Sequence, residues 1–519
     1  MEITQPLHRA IQLTPDRTYT VMGNRERTVA ESGERIARLA GALVQQGLLP
    51  GERVGILSLN SDVFHEALLA VPWAGGVVVP VNFRWSPAEI ALSFAECSVE
   101  ILIVDDTFLG LVEAVREQYP ALTTIVHTGD KPTPSGALAY ETLIAGSTAI
   151  DDHRRGGSDI FGIFYTGGTT GRPKGVTLTH DNMMTSAYGC VATGEFVTQF
   201  GRLLHAAPMF HLADICSWVG GLISGSTHVF LPAFTSDGAL RAMSDHGVTD
   251  CLLVPTMIQM MVDSPAAGAA DVSSVKHIIY GASPMPEALL ARARALFVNA
   301  TFLQAYGMSE LAPVATLLLM SEHDHPRHRS SAGRAAPHTE VRIVDEDDHE
   351  LPRGTVGEIV VRGGATMIGY WNRPEETADA LRGGWMHTGD GGYMDEDSYV
   401  FVVDRIKDMI ITGGENVYSI EVENVLSQHP SIATCAVIGL PDDKWGERVH
   451  VVVVLHPDST LELRDVQAIA RGTIAGYKIP KSLSFIDALP VSAAGKVLKR
   501  ELRSQLAGGA PSAPVPARD

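Results

Sequence analysis

Short apolar, β-rich runs alternate with helical patterns through roughly the first 330 residues, and this alternation constrains the fold more than any other feature. Arg53–Leu59 has the composition of a strand, Val63–Trp73 that of a helix, and Gly76–Val81 that of a second strand. The pattern resumes between Ile160–Phe164 and His277–Tyr280. It predicts parallel, doubly wound sheets with right-handed crossovers, and the amount of chain predicts two of them.

The pattern changes near Val341, where β-rich runs are separated by Gly, Asp and Asn. Gly357–Arg362 and Tyr399–Val403 are the clearest of these runs and predict a small antiparallel or barrel-like region. Beyond Asp404 a further α/β pattern begins, in which Ser419 is suited to cap the first helix. The predicted fold class is therefore α/β, with two sheets, a small β-barrel and a smaller α+β C-terminal part.

Composition and charge exclude several classes of protein. A length of 519 residues with 45% hydrophobic and 19% charged residues is typical of large buried cores and excludes a disordered chain. Asp and Glu number 60 against 40 Lys and Arg, which gives a formal net charge of −20. We expect no nucleic-acid partner, because such binding needs a basic face. If the ligands are anions, the positive charge that binds them must be local.

Targeting signals and metal-binding patterns are not visible in the sequence. The N-terminal residues lack a basic start followed by an apolar run, and the apolar stretch Ala67–Val81 is interrupted by prolines and glycines, so we expect neither a secretory signal nor a transmembrane segment. The five cysteines are scattered without a CxxC pair. This spacing favours small buried side chains over disulfides or zinc, and a cytoplasmic location.

The segment Thr166–Lys174 has the composition of a phosphate-binding loop. Three glycines, three threonines and a lysine follow a predicted strand. Backbone N–H groups of such a loop form a concave anion site, to which hydroxyl groups and the lysine add donors and charge. It is not a Walker A loop, because Gly175 follows Lys174 where Ser or Thr is required. The alternative is a flexible surface turn. The candidate ligands of a polyphosphate are Thr166, Gly167, Gly168, Thr169, Thr170 and Lys174.

A second segment, Gln304–Glu310, combines an aromatic residue, a glycine, a hydroxyl and a carboxylate at a predicted strand end. Ligands of α/β proteins bind at such ends. Tyr306 could stack on a base, Ser309 could donate to a phosphate, and Glu310 could hold Mg²⁺, which favours few carboxylates together with phosphate oxygens. The alternative is a helix-capping serine followed by an acidic first-turn residue.

Two further residues and one segment become candidates only in combination with the others. Asp390 follows a tight turn and could accept from two ribose hydroxyls, or merely form an Asx-turn. The charged segment 404–416, with its glycine pair, suits a hinge or a solvated loop. Lys496 lies among small residues and, taken alone, is typical of a surface lysine.

In this order and spacing, the five segments resemble the adenylate-forming superfamily of acyl-CoA synthetases, aryl-CoA ligases, firefly-type luciferases and peptide-synthetase adenylation domains. The resemblance covers about residue 10 to 505. It implies a large N-terminal domain over 1–404, a hinge at 405–407, a mobile C-terminal domain over 408–505 and a disordered tail over 506–519.

The resemblance also implies a two-step reaction. A carboxylate attacks the α-phosphate of Mg·ATP to give an acyl-adenylate and pyrophosphate, and coenzyme A then displaces AMP. The implied cofactors and partners are ATP, Mg²⁺, CoA and a small carboxylic acid, and a homodimer stays open. Peptide-synthetase adenylation is less favoured, since no carrier domain follows Lys496.

Matching residues acquire roles through the resemblance. Thr166–Lys174 would grip pyrophosphate, Lys496 would bridge the carboxylate and the α-phosphate, and His211 would line the acyl pocket near the carboxylate. The nucleotide and its Mg²⁺ would be held by Gly281, Ala282, Ser283, Gln304, Tyr306, Gly307, Met308, Ser309, Glu310, Asp390 and Arg405. Lys407 would be the pivot of the hinge, while Gly413 and Gly414 would frame the pantetheine tunnel.

The last predictions concern a departure from the family pattern in the phosphate loop and the identity of the carboxylic acid substrate. Gly167 stands where the family usually has Ser, so we expect a weaker grip on phosphate, by about 1 kcal/mol for one lost donor. The pocket candidates are apolar or small and favour an uncharged apolar tail, without deciding between an acyl chain and an arylpropenoate: Phe210, Trp218, Gly220, Gly221, Ala282, Met308 and Val314. Gly281–Glu287 and Lys407–Tyr418 resemble bacterial fatty-acyl-CoA and related aryl-CoA ligases, and we favour a medium- or long-chain fatty acid. An aryl acid stays open. A non-catalytic binding protein is less favoured, because Lys496 and Glu310 are both present.

Overall fold

The computed structural model describes residues 1–166, 173–283, 285–413, 415–471, 473–491 and 497–507, apart from the side chains of Lys407, Asn416 and Ala507. The chain forms two compact units. The larger unit comprises Met1–Gly281, Leu289–Val341 and Val361–Met386, and the smaller comprises Ala282–Ala288, Arg342–Val360 and the chain from His387 onward. In the described part of the chain, every helix is too short or too polar to cross a membrane.

Helices occur throughout the described part of the chain. The helices are α1 (Gln5–Leu13), α2 (Val29–Gln45), α3 (Asp62–Trp73), α4 (Pro87–Cys97), α5 (Val112–Gln118), α6 (Tyr140–Gly146), α7 (His180–Val191), α8 (Leu212–Ser224), α9 (Ser236–His246), α10 (Pro255–Asp263), α11 (Glu287–Leu296), α12 (Pro374–Ala380), α13 (Ser419–Leu426), α14 (Leu463–Arg471) and α15 (Lys499–Ala507). Short 3₁₀ turns occur at Leu109–Leu111, Pro265–Gly268, Ser309–Leu311, Met320–Glu322, Arg382–Gly384, Ile406–Asp408 and Gly476–Lys478.

The strands complete the description of the chain. They are β1 (Thr18–Met22), β2 (Arg25–Thr28), β3 (Arg53–Leu57), β4 (Val77–Pro80), β5 (Val99–Asp105), β6 (Thr124–Thr128), β7 (Leu138–Ala139), β8 (Ile160–Thr166), β9 (Lys174–Thr179), β10 (Arg202–His205), β11 (Thr227–Phe230), β12 (Asp250–Leu253), β13 (His277–Gly281), β14 (Thr301–Gly307), β15 (Val314–Leu318), β16 (Arg334–Ala335), β17 (Thr339–Val344), β18 (Gly357–Gly363), β19 (Gly369–Tyr370), β20 (Met386–Met394), β21 (Val400–Arg405), β22 (Ile410–Thr412), β23 (Glu415–Val417), β24 (Ile432–Asp442), β25 (Gly446–Leu455) and β26 (Ser482–Phe485).

The larger unit contains the two predicted sheets. One has nine strands in the order β16-β15-β14-β13-β12-β10-β11-β1-β2, and the other has eight in the order β19-β9-β8-β4-β3-β5-β6-β7. Strands β1, β11, β10, β12, β13 and β14 pair in parallel, as do β8, β4, β3, β5, β6 and β7. The prediction of parallel α/β sheets is confirmed.

Local signals explain how individual helices begin. Ser86 caps α4 through a capping box with Glu89, and Pro87 occupies the first turn, as the Ser-Pro start predicts. Helix α3 is buried on every side, which suits its apolar sequence. Its two acidic residues are each paired with an arginine. Asp62 pairs with Arg25 at 2.6 Å, and Glu66 pairs with Arg35 at 2.6 Å.

The smaller unit is built mainly on antiparallel strands, with β26 added in parallel. One sheet has the order β23-β22-β25-β24, with β26 beside β25, and α13 contributes to the core that covers it. The predicted barrel-like region forms a four-stranded sheet in the order β17-β18-β20-β21. Within it, β20 and β21 are antiparallel.

One prediction about this unit needs correction. The cap of α13 is Tyr418, and Ser419 is the first helical residue, because the Ser419 N–H donates to Asp404 and holds that position inside the helix. The last helix, α15, ends at Ala507. Leu506 packs against the apolar cluster under α15, which keeps it helical. Residues 508–519, the rest of the predicted tail, lie outside the described residues.

Candidate active site

The predicted phosphate loop connects two neighbouring antiparallel strands. Strand β8 ends at Thr166 and β9 begins at Lys174, and these two residues are partners in the ladder. The strand predicted before the loop is confirmed. Residues 167–172 lie outside the described residues, so the roles assigned to Gly167, Gly168, Thr169 and Thr170 stay predictions.

Lys174 is the charged end of this loop and is already engaged. Its ammonium group pairs with the carboxylate of Glu376 and lies 4.9 Å from the ring centre of Tyr370. The hydrogen bond from Lys174 lowers the pKa of Glu376. The lysine side chain is only 22% exposed. A basic side chain is therefore held, partly buried, beside the loop.

Glu310, the predicted Mg²⁺ ligand, is held by the same tyrosine. The hydroxyl of Tyr370 donates to Oε1 of Glu310 over 2.8 Å, and the backbone N–H of Met367 donates to the Glu310 carbonyl over 2.8 Å. Glu310 is 6% exposed. Burial, together with the neighbouring Glu310 charge, raises the pKa of Tyr370. The phenol consequently stays protonated and acts as a donor to the carboxylate.

The strand that leads to Glu310 positions the predicted adenine segment. Tyr306 and Gly307 end β14, and Met308 is extended before the turn that starts at Ser309. A Cβ at Gly307 would lie 2.0 Å from the Pro313 carbonyl oxygen, so only glycine fits there. Gln304, earlier on the same strand, accepts a hydrogen bond from Tyr280 over 3.0 Å.

The neighbouring strand carries the second predicted adenine wall. Strand β13 ends at Gly281 and pairs in parallel with β14, with Gly281 opposite Ala305. A Cβ on Gly281 would lie 2.4 Å from the Ala305 carbonyl oxygen, which excludes any other residue. Ala282 follows with a φ of 68°, and Ser283 comes next in the chain. Gly281 and Gly307 thus end adjacent parallel strands at the carboxyl edge, where ligands of α/β sheets bind.

His211 lies at the start of α8, where it is the capping residue. Its ring is 4.2 Å from that of Phe210, centre to centre, and Phe210 packs edge-on against Phe83 at 4.9 Å. The surroundings are therefore aromatic. The other pocket candidates on α8 are packed in the core: Trp218 is fully buried and donates to His65, and side chains at Gly220 and Gly221 would meet Phe196 and Leu203.

The two residues predicted to bind the ribose lie beside each other in the smaller unit. Asp390 on β20 and Arg405 on β21 are ladder partners, and the Arg405 Nε lies 3.0 Å from Asp390 Oδ1. Thr388 fixes the turn before Asp390, because its hydroxyl accepts from the Asp390 N–H over 3.1 Å and donates to the carbonyl of Ile359 over 2.7 Å. The backbone at Asp390 is consequently held in place, while Arg405 is 37% exposed.

The remaining predicted residues are only partly described. The 3₁₀ turn Ile406–Asp408 contains Lys407, whose side chain is outside the described atoms. Gly413 has a φ of 62°, and its N–H donates to the Trp445 carbonyl over 2.7 Å. Gly414 and Lys496 lie outside the described residues.

Sequence reasoning missed Tyr370 and Glu376. They lie in a region of short elements, on β19 and α12, without a motif that marks them. The available signal is modest: Tyr370 stands beside Gly369 and Trp371, an aromatic pair after a glycine. Only the pairing of β19 with β9, in which Tyr370 faces Val176, brings this segment to Lys174.

Comparison with known proteins assigns this arrangement of residues to a family. The AMP-binding enzyme family matches residues 7–371, and the AMP-binding enzyme C-terminal domain matches residues 421–496. The chain belongs to the AMP-binding enzyme family. A feruloyl-CoA synthase from an Amycolatopsis species is 38% identical over 96% of this chain and 97% of its own length. A long-chain-fatty-acid–CoA ligase from Mycobacterium tuberculosis is 34% identical over 93% and 94%.

A solved structure agrees with this assignment. The ATP-bound MatB from Rhodopseudomonas palustris superposes with a TM-score of 0.88 at 31% identity and covers 98% of this chain and 99% of its own. The predicted membership of the adenylate-forming superfamily is confirmed. This member of the family is an AMP-forming acid–CoA ligase that uses ATP, Mg²⁺ and CoA.

The donor set at Glu310 fits magnesium. Mg²⁺ binds through one or two carboxylates and takes its other ligands from water and substrate phosphates. Glu310 supplies one buried carboxylate, which is oriented by the Tyr370 hydroxyl.

Proposed function

We propose that this ligase activates an uncharged, apolar carboxylic acid, and that the acid is a medium- or long-chain fatty acid. The observation that supports the proposal is the surroundings of His211. The rings of Phe210, Phe83 and Phe108 form a continuous aromatic series beside it, with centre-to-centre distances of 4.9 and 5.4 Å. Such a surface gains free energy from burying an alkyl chain, at about 25 cal/mol per Å².

An acid of the ferulate type is a second candidate. The similarity to a feruloyl-CoA synthase over 96% of the chain favours it. An arylpropenoate would also suit an aromatic surface, because offset and edge-on ring contacts add about 1 kcal/mol to area burial. The two candidates differ in shape and polarity, so one substrate series separates them.

The first half-reaction requires the chain to offset charge. A carboxylate attacking a triphosphate meets a polyanion, and cations and donors held in place lower this barrier. Lys174 supplies one such cation. For it to grip a phosphate, its ammonium group must exchange the Glu376 carboxylate for phosphate oxygens. Lys496 would supply a second cation between the carboxylate and the α-phosphate.

The neutral and acidic residues would orient the nucleotide. Tyr370 holds the Glu310 carboxylate in one direction. Glu310 would therefore bind the metal without a free-energy cost for reorienting its side chain. Magnesium, when bound, draws negative charge from the phosphate oxygens. Ser309 would donate to a phosphate, and Tyr306, with Gly281–Ser283, would enclose the adenine. Asp390 and Arg405 would take the ribose hydroxyls.

The second half-reaction would use a different face of the C-terminal domain. We propose a pivot at Lys407 within a hinge at 405–407, and a rotation that removes Lys496 and brings Gly413 and Gly414 to frame the CoA thiol. One site would then serve both steps, because the lysine needed for adenylation leaves before thioester formation.

Acid-dependent exchange of pyrophosphate into ATP tests the substrate proposal. Acetate, octanoate, palmitate, benzoate and ferulate are compared with and without CoA. Preference for octanoate or palmitate supports the fatty-acid proposal, and preference for ferulate supports the second candidate. If none of the acids promotes exchange, the proposal of an apolar acid substrate is wrong.

Removing the Lys496 charge tests the proposal that this lysine acts in adenylation and not in thioester formation. Lys496→Ala is expected to abolish pyrophosphate exchange and to spare thioester formation from a supplied acyl-adenylate. Lys481→Ala is the control, because Lys481 is an exposed lysine of the same unit. Equal loss of both half-reactions in Lys496→Ala would show that the lysine serves the fold or both steps.

A further inference from the structure

A surface cavity lies at the amino edge of the nine-stranded sheet, the edge opposite to Gly281 and Gly307. It has a volume of about 420 Å³, and its lining includes Arg17, Arg202 and Phe200. Arg202 begins β10, Thr18 begins β1 and Thr227 begins β11. These strands are parallel, so the cavity and the candidate active site lie at opposite ends of the same sheet.

Two guanidinium groups define the chemistry of this cavity. Burial, with a contribution from the Arg202 charge, lowers the pKa of Arg17. The two guanidinium charges are therefore close enough to repel each other. Such repulsion is unfavourable for folding, which suggests that the pair is kept for a ligand. Among the described residues, neither Arg17 nor Arg202 forms an ion pair with a carboxylate. On the neighbouring strand β2, by contrast, Arg25 and Arg27 both form ion pairs with Asp62.

The two side chains are held in place by neutral partners. Arg17 donates to the Phe200 carbonyl and lies 5.0 Å from the ring centre of Phe200. Arg202 donates from Nη1 to the His246 carbonyl over 3.2 Å. Each guanidinium has five N–H groups, so these bonds orient the forks and leave most of their donors for a ligand.

The carboxylate of Asp250, next to Thr249 in the cavity lining, already accepts hydrogen bonds from neighbouring residues. Asp250 is fully buried and accepts from the Thr249 hydroxyl at 2.6 Å, from the Thr198 N–H at 2.9 Å and from the His277 ring at 2.7 Å. The Thr227 hydroxyl donates to the Thr18 carbonyl over 2.6 Å. The hydroxyls in the cavity wall thus serve the fold, and the two arginines carry its positive charge.

We propose that this cavity binds a phosphate group, clamped between Arg17 and Arg202, at a site separate from the catalytic one. Paired guanidinium forks match the oxygens of a phosphate, and the volume admits a small phosphorylated metabolite. The exposed ring of Phe200, 41% accessible, would cover an apolar part of such a ligand. The site does not depend on the identity of the acid substrate.

Phosphate binding to four variants tests the site. Inorganic phosphate is titrated by calorimetry at low salt, with the nucleotide site filled by a non-hydrolysable ATP analogue. We expect Arg17→Gln and Arg202→Gln each to weaken binding about tenfold or more, since each removes a charged fork. Arg241→Gln, on α9 of the same unit, is the matched control and should bind as the wild type does. Lys174→Ala should also retain this binding.

Thermal stability gives an independent readout. Without phosphate, Arg202→Gln should unfold at the same temperature as the wild type or higher, because it removes the repulsion on Arg17. With phosphate, the wild type should gain more stability than the variant. A lower unfolding temperature in both conditions, with unchanged phosphate affinity, would show that Arg202 serves only the fold and would overturn the proposal.

The source of the phosphate is separated by two probes. Glycerol 3-phosphate represents a soluble metabolite, and phosphatidylcholine vesicles with or without an equal part of phosphatidylglycerol represent a lipid headgroup. Competition of glycerol 3-phosphate with inorganic phosphate supports the soluble ligand. Arginine-dependent sedimentation with the anionic vesicles alone would keep the phosphate chemistry but overturn the metabolite. Failure of phosphate and both probes would overturn the site.

Discussion

The phenol of Tyr370 donates to the Glu310 carboxylate over 2.8 Å, across 60 residues of chain. The same ring lies 4.9 Å from the ammonium group of Lys174. One aromatic side chain thereby contacts both a candidate metal ligand and the lysine of the phosphate loop. We infer that Tyr370 sets the relative position of the two groups before the nucleotide binds.

Removing the Tyr370 hydroxyl should weaken the metal site. In Tyr370→Phe, the Glu310 carboxylate loses a charge-assisted hydrogen bond, worth about 1.5–3 kcal/mol. We expect the Mg²⁺ concentration for half-maximal pyrophosphate exchange to rise about tenfold. Tyr188→Phe is the control, because Tyr188 is an exposed tyrosine of α7 in the same unit. An unchanged Mg²⁺ dependence in Tyr370→Phe would contradict the role of Glu310.

Neutralising Glu376 should make Lys174 easier to recruit. The ion pair must open before the ammonium group meets a phosphate, and partly exposed pairs are worth up to about 1 kcal/mol. Glu376→Gln should therefore lower the KM for ATP about two- to five-fold, measured by pyrophosphate release. Glu375→Gln, one residue earlier on α12, should leave the KM unchanged. A higher KM in Glu376→Gln would mean that Glu376 holds Lys174 where the nucleotide needs it.

Asp390 provides a test of the ribose assignment. Asp390→Asn keeps the size of the side chain but turns one acceptor into a donor that faces Arg405, 3.0 Å away in the wild type. We expect the KM for ATP to rise about tenfold, with little effect on thermal stability. Asp443→Asn, at an exposed position of the same unit, is the control. The drop in activity when 2′-deoxy-ATP replaces ATP is then measured in both proteins. If this drop is as large in Asp390→Asn as in the wild type, Asp390 does not bind the ribose hydroxyls.

Buried histidines should make the fold sensitive to acid. Burial lowers the pKa of His65 to about 3, below the unfolded value of about 6.5. Between these values the unfolded chain binds the extra proton. The stability contributed by His65 is therefore complete above about pH 6.5 and is lost as the pH falls, by up to about 1.4 kcal/mol per pH unit.

A pH series of thermal unfolding checks this sign. His65→Gln should show a shallower fall in unfolding temperature between about pH 6.5 and about pH 4.5, since one proton-linked group is removed. His349→Gln should keep the wild-type slope, because the His349 side chain is 77% exposed. Identical slopes in all three proteins would show that His65 is not protonated on unfolding.

The sheets were predictable because parallel strands buried on both faces are written as continuous apolar runs. Strand β2 was not, since its sequence, Arg25–Thr28, is polar throughout and half exposed. Its antiparallel pairing with β1 makes it a strand. The cap of α13 failed for a similar reason, because Asp404, 15 residues away, captures the Ser419 N–H. Contacts between distant segments outweighed local preference at both places.

The candidate site also combines features that the local sequence predicts with contacts that it does not predict. Gly307 and Gly281 stand at strand ends that the alternation predicts, and their neighbouring backbones explain why they are glycines. The contact of Asp390 with Arg405 depends on the register of β20 and β21, which spacing alone does not fix. Tyr370 reaches Glu310 only through the pairing of β19 with β9, a contact that no local pattern encodes.

The ladder pairing of Thr166 with Lys174 has a consequence for protein engineering. The two ends of the phosphate loop are fixed to each other by the sheet, whatever residues join them. The intervening residues 167–173 can therefore be exchanged as a cassette for those of relatives while the anchoring strands stay constant. A series of such chimaeras would measure how loop composition sets nucleotide affinity, beginning with a serine restored at position 167, independently of the acid pocket and of the global stability of the chain.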